Sequence, residues 1–236
     1  MRVIDYALTR DVEVTARNHG RRYGSDHALV VFTVRHPGRR TLRIGLWNVQ
    51  RDRNRARVVP MVARLLRLLD LDALALVEAG DYVPGLRKAD GLRVLAASVE
   101  PGQANTAIVV PDLVTWDRFY CPRMTRSGWI TVRGGRTAPK YLATVRLDGW
   151  LRLAVGHRPP SCRWVRGIVH GPARRVVATI AHARSEVRWA NRKARGALVL
   201  AADWNATPDA RGRYSPHWVA QRAGLDVVAP RRGTHA

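Results

Sequence analysis

Apolar runs in this chain end repeatedly on a polar residue of the kind that does chemistry. Thr41–Trp47 leads into Asn48, Asp72–Val77 into Glu78, Leu151–Gly156 into His157, and Leu198–Ala202 into Asp203-Trp204-Asn205. A further cluster, Gly24-Ser25-Asp26-His27, stands just before the apolar run Ala28-Leu29-Val30-Val31-Phe32. Short apolar runs bounded by turn formers read as buried strands. Strands laid side by side deliver the residues at their ends to one rim of a sheet, so a rigid frame builds a site from distant positions. Singly, each residue has a plainer explanation. An asparagine after a strand is a common turn former, Glu78 reads equally well as a loop acid, and Asp203-Trp204-Asn205 before Thr207-Pro208 reads as a turn with an Asx cap. It is the joint occurrence, each in strand context, that constrains the fold.

The remaining pattern is rich in strands. Beyond those above, strands are expected at Val3–Leu8, Ala28–Val34, Leu92–Ala96, Thr106–Val110, Val114–Tyr120, Gly128–Val132, Tyr141–Leu147 and Leu225–Val228. Helical spacing of Val58, Val59, Met61, Val62, Leu65, Leu66, Leu68 and Leu69 predicts an amphipathic helix over residues 55–69. A second is predicted over Ala173–Lys193, with Val176, Val177, Ile180, Ala183, Val187 and Ala190 on one face and Arg174, Arg175, Arg184, Arg188 and Arg192 on another. Pro216–Ala223 is a third. Many strands with few helices imply two packed sheets flanked by helices. At 236 residues the chain is read as one domain, 1–236.

Composition narrows the function classes. There is no apolar run long enough to cross a bilayer as a helix. Met1-Arg2-Val3-Ile4-Asp5-Tyr6 lacks the apolar core of a secretion signal, so a cytoplasmic protein is expected. Cys121 and Cys162 fit neither a disulfide framework nor a zinc spacing and are read as reduced thiols. Lys and Arg total 41 against 18 acids, a net charge of +23. Lys88, Lys140 and Lys193 are the only lysines, a bias that a GC-rich genome explains; the excess over acid it does not. So positive a field concentrates polyanions. Trp116, Trp129, Trp150, Trp164, Trp189 and Trp218 are candidate stacking surfaces, although core packing is the commoner role.

The motif set resembles the endonuclease/exonuclease/phosphatase superfamily, the fold shared by deoxyribonuclease-like nucleases, abasic-site endonucleases, sphingomyelinases and inositol-polyphosphate phosphatases. The matching pieces are Leu42 through Gln50, Asp72 through Glu78, Val155 through Pro160, Leu198 through Pro208, Ile4-Asp5-Tyr6, and Gly24-Ser25-Asp26-His27. In that superfamily the Ser-Asp-His element comes last, whereas here it comes near the start. Read as a circle, with Thr234-His235 running into Val3-Ile4-Asp5, the usual order returns. The resemblance therefore implies a circularly permuted α/β fold, a four-layer α-β-β-α sandwich of two packed, mostly antiparallel sheets. Residues 1–36 would stand for the family's C-terminal end, 35–40 for a connector, and 41–236 for the rest.

The resemblance also implies roles. Glu78 corresponds to the principal carboxylate ligand of a divalent ion, Mg²⁺ with Mn²⁺ as a substitute, with Asn48 beside it and Asp26 touching the metal directly or through water. Asp203 corresponds to the residue that orients or deprotonates the attacking water, and Asn205 to its partner holding a phosphate oxygen. His27 corresponds to the histidine on the scissile phosphate, Asp5 to the carboxylate that orients its ring. His157, with Arg158 beyond it, faces the leaving-group side. The chain departs from the family at Gln50, where many members carry an acid, and at Val77, where glutamine is frequent.

Fold does not choose a substrate. Charge favours nucleic acid, so the expectation is a DNA nuclease of low sequence specificity, encoded by a bacteriophage or mobile element. The alternatives are a phosphatase or phospholipid phosphodiesterase of the same fold, and a nucleic-acid-binding relative without catalysis. A monomer is expected, with a swapped oligomer, in which residues 1–36 complete a neighbour's site, as the other arrangement.

Overall fold

The computed structural model describes residues 5–19, 23, 25–49, 55–97, 106–122, 124, 130–132, 135–137, 141–158, 163–165, 168–171 and 173–231. In chain order the elements are β1 (Asp5–Arg10), β2 (Glu13–Asn18), β3 (Val30–Arg35), β4 (Leu42–Asn48), α1 (Arg55–Leu68), β5 (Ala73–Val77), α2 (Val83–Leu86), β6 (Leu92–Ala97), β7 (Thr106–Pro111), β8 (Trp116–Tyr120), β9 (Ile130–Val132), β10 (Gly135–Thr137), β11 (Ala143–Leu147), β12 (Leu151–His157), β13 (Arg163–Val165), β14 (Ile168–His170), α3 (Ala173–Arg192), β15 (Leu198–Asp203), α4 (Pro216–Ala223) and β16 (Asp226–Val228). Gln50, Pro159, Pro160, Cys162, Trp129, Thr234, His235 and Gly24 lie outside the described residues.

Strand alternation decides the layers. In β15, Val199 and Ala201 point into an apolar seam shared with Phe32, Ile44 and Leu46 of the opposing sheet. Leu198 and Leu200 point the other way, onto Ala183, Trp189 and Ala190 of α3 and Val219 of α4. Period-two alternation along one strand thus serves two interfaces at once. On the far side Trp47, Leu74 and Leu76 pack beneath Val58, Val62 and Leu65 of α1. The result is helix, sheet, sheet, helix, as the sequence implied.

Each sheet has six strands, ordered β16-β1-β15-β12-β11-β8 and β2-β3-β4-β5-β7-β6. Each contains a single parallel pair, β12 with β15 and β4 with β5. A parallel pair needs a crossover, which α3 and α1 supply. Both pairs therefore end at the same rim, placing His157 beside Asp203 and Asn48 beside Val77. The N-terminal strands complete that rim: β1 runs antiparallel to β15 with Asp5 opposite Asp203, and β3 runs antiparallel to β4. The connector expected at 35–40 is a tight hairpin between β3 and β4, closed by Arg39 N–H donating to His36 C=O at 3.1 Å.

Local signals account for both ends of α4. Ser215 caps α4 by accepting from Trp218 N–H, Pro216 opens it, and Gly224 ends it at φ 60°. Strand β2 was not expected. Its sequence Glu-Val-Thr-Ala-Arg-Asn is polar and partly exposed, as an edge strand is, so it carries no apolar run. The helix α2 and the hairpins β9–β10 and β13–β14 were also unforeseen or only half foreseen, being too short for periodicity to register. In α3 the buried stripe is rotated from the expected one. Val177 is 45% exposed, while Thr179, His182 and Glu186 are buried.

Candidate active site

The floor of the rim is a histidine held between acids. His27 Nδ1 lies 2.7 Å from Asp5 Oδ2, and both side chains are buried. Its Nε2 faces Asp26 Oδ1 at 3.6 Å. Burial alone would depress the imidazole pKa, but the Asp5 hydrogen bond and charge, with Asp203 and Asp26 behind, outweigh it and raise the ring to about 9. The ring is therefore an imidazolium at neutral pH. Ser25 fixes the backbone here: its Oγ accepts from His27 N–H at 3.1 Å and donates to Asn48 C=O at 2.6 Å. That tie between the Ser-Asp-His loop and the end of β4 had no assigned role in the sequence, although Ser25 sits inside the quoted motif.

Opposite stands the second half. Asn48 Nδ2 donates to Asp203 Oδ2 at 3.0 Å and to Glu78 Oε1 at 3.3 Å. His157 Nε2 approaches the same two oxygens, 3.7 Å from Glu78 Oε1 and 3.8 Å from Asp203 Oδ2. Asn205 turns back over Asp203, its N–H donating to Asp203 Oδ1 at 2.9 Å, while its Nδ2 donates to Arg158 C=O at 2.9 Å. One amide N–H of Asn205 remains to be offered elsewhere. Asp203 is driven upward in pKa, first by burial and then by the charge of Asp5; His27, the Asn205 amide and Asn48 offset part of this. A carboxylate raised toward neutrality is the kind that accepts a proton in catalysis.

Two of these residues hold left-handed backbone, Glu78 at φ 60° and Asn205 at φ 50°. Non-glycine residues pay for that conformation, and such strain gathers at functional sites. Of the expected residues, Asp5, His27, Asn48, Glu78, His157, Asp203 and Asn205 converge within one chain. Asp26 joins through His27. Arg158 does not reach the opening: it is 1% exposed, its guanidinium 4.8 Å over the Trp204 ring and paired with Glu186.

The donor set discriminates between two ways of holding a cation. Asp5, His27 and Asp203 bring one ligand atom each within 4.8 Å of one another. That cluster already has its cation in the imidazolium, and His27 Nδ1 is occupied by Asp5. The Glu78 side chain is 26% exposed against 3% for Asp203, so it meets water from the open side. A hard ion that keeps several waters and needs one or two protein oxygens fits Glu78 with Asn48 beside it.

A solved structure of TDP2 from D. rerio complexed with a single-strand DNA product superposes at TM-score 0.52, with 17% identity over 78% of this chain and 64% of that one. A humanized D. rerio TDP2 superposes at 0.50, with 16% identity over 78% and 66%. The fold is the one those two structures have. An endonuclease/exonuclease/phosphatase family protein from Bacteroides thetaiotaomicron superposes at 0.47, with 13% identity over 70% and 63%. This chain spans just under two thirds of the length of those TDP2 chains. No protein-family model matches the sequence, and no curated protein does. At such identities the likeness speaks for the fold alone.

Proposed function

We propose that this protein is a metal-dependent phosphodiester hydrolase, a DNA nuclease of low sequence specificity. The observation that carries the reading is the meeting, at one rim, of the Asp5–His27 pair with Asn48, Glu78, His157, Asp203 and Asn205. Phosphodiester hydrolysis needs a positioned water, neutralisation of the nonbridging oxygens, and help for the departing alkoxide. Asp203 takes the proton of the attacking water. The His27 imidazolium donates from Nε2 to a nonbridging oxygen while Nδ1–H stays with Asp5, and the uncommitted N–H of Asn205 reaches another. His157 stands toward the leaving group. Glu78 and Asn48, with Asp26 nearby, hold Mg²⁺ or Mn²⁺, which when bound supplies charge neutralisation and Lewis acidity. Residues 1–36 fill the place of the family's C-terminal end, a permutation that keeps 1–236 as one domain.

DNA is favoured by the net charge of +23 and by the single-strand DNA product held by the TDP2 neighbour. Binding is expected to weaken steeply with salt. The decisive experiment compares wild type and Glu78→Gln on supercoiled plasmid, with Mg²⁺ or with chelator. Nicking by wild type with Mg²⁺ alone supports the reading. Equal cutting by Glu78→Gln overturns the mechanism, and salt-insensitive turnover of a small phosphate ester without plasmid cleavage overturns the substrate.

A further inference from the structure

The interior beneath the rim contains charges that the hydrolytic scheme does not use. Glu186 and His182 of α3 are both 0% exposed, Arg158 is 1% exposed, and Glu186 pairs with Arg158 on one oxygen and with His182 Nδ1 at 3.1 Å on the other. The Arg158 guanidinium lies over Trp204, a member of the apolar cluster that also contains Trp189, Ala183, Ala190 and Val219. Burying ions costs solvation that a well-packed apolar substitute would not, so their presence points to something other than stability.

Arg158 touches every part of the catalytic turn. It follows His157 and has left the strand ladder, yet its N–H donates to Asp203 C=O at 3.0 Å and its C=O receives the Asn205 amide at 2.9 Å. Its guanidinium lies against the Trp204 ring, between those two residues in sequence, and Trp204 is itself pinned by Nε1 donating to Tyr6 C=O at 2.9 Å. Arg158 Nη1 also donates to Tyr214 C=O at 3.1 Å. Asn205 and Tyr214, at the two ends of this loop, have φ 50° and 68°. Left-handed residues persist only where their surroundings over-determine them. A planar guanidinium with a fixed fork of donors grips a ring, a carbonyl and a carboxylate together, which a lysine cannot do.

We infer that Arg158 is a positioning residue: anchored by Glu186, it locks the Asp203-Trp204-Asn205 turn so that the Asp203 carboxylate and the Asn205 amide stay aimed at the scissile phosphate. This rests on the reading of the rim as a phosphodiester hydrolase. The test uses the whole protein with Arg158→Lys and with the charge-free pair Arg158→Met/Glu186→Leu. The readouts are thermal midpoint, kcat and KM on plasmid, and hydrogen exchange of the Arg158-position and Asn205 backbone amides. Positioning predicts that the double variant keeps or regains the midpoint while kcat stays down by about 10²-fold, the scale of a small misplacement. KM should stay within a few-fold, and both amides should exchange faster. Arg158→Lys, which retains the charge, should show the same exchange loss with a smaller fall in kcat. A double variant that recovers midpoint and kcat together overturns the proposal, as does Arg158→Lys with wild-type kcat and protection. If wild type cleaves nothing, the functional reading fails; the exchange data then decide the positioning alone, and unchanged protection in both variants ends it.

Discussion

The side-chain amide of Asn48 donates to Asp203 at 3.0 Å across the seam between the two sheets, joining residues 155 positions apart. Neither sheet contains the site. Each contributes half, and the amide is the seam.

Asp203 is expected to be chemically indispensable and structurally costly. Asp203→Asn should lower kcat by about 10²–10⁴-fold, the range of a lost general base. Burial and Asp5 raise the pKa of Asp203, so its ionised form opposes folding at neutral pH. The amide removes that opposition, and the thermal midpoint, measured in chelator, should equal or exceed that of wild type. A variant with near-wild-type kcat would remove Asp203 from the mechanism.

The pH dependence should bear the mark of His27. Its folded pKa is raised to about 9, so the stability it contributes is full below the unfolded value near 6.5 and is lost as pH rises through about 9. Turnover that needs the imidazolium should fall over the same alkaline range. In Asp5→Asn both limbs should move to lower pH. Rate and denaturation profiles between pH 6 and 10 check this, and superimposable profiles for the two proteins would contradict it.

Glu78 sits in left-handed backbone at φ 60°. Glycine adopts that conformation without the cost of about 1–2 kcal/mol that a side chain pays. Glu78→Gly is therefore expected to match or exceed wild type in chemical denaturation while losing Mg²⁺-dependent cleavage. A clear loss of stability would show that the backbone here is not strained.

In acid, Glu186 should lead the loss of stability. Burial would raise its pKa, but the charges of Arg158 and His182 bring it down to about 2. Its contribution is thus present above its unfolded value of 4.5 and lost as pH falls toward 2. Arg158→Met/Glu186→Leu should show a flatter stability profile across that window. Glu186→Gln, which strands Arg158, should cost about 3–5 kcal/mol at neutral pH. Acid titrations followed by circular dichroism distinguish these outcomes.

By itself the sequence determined the strands and the residues at their tips. Alternation along Leu198–Asp203 and the apolar runs before Asn48, Glu78 and His157 are local patterns, and a strand end is a local event. The superfamily resemblance added the order in which those tips meet. Tertiary structure alone decided which polar residues face inward. The α3 stripe was misjudged because His182 and Glu186 count as surface residues until a partner buries them, and that partner, Arg158, arrives from the end of β12. A charge is placed inside or outside by what the fold brings to it, at the cost of its solvation, and no periodicity along the chain records that exchange.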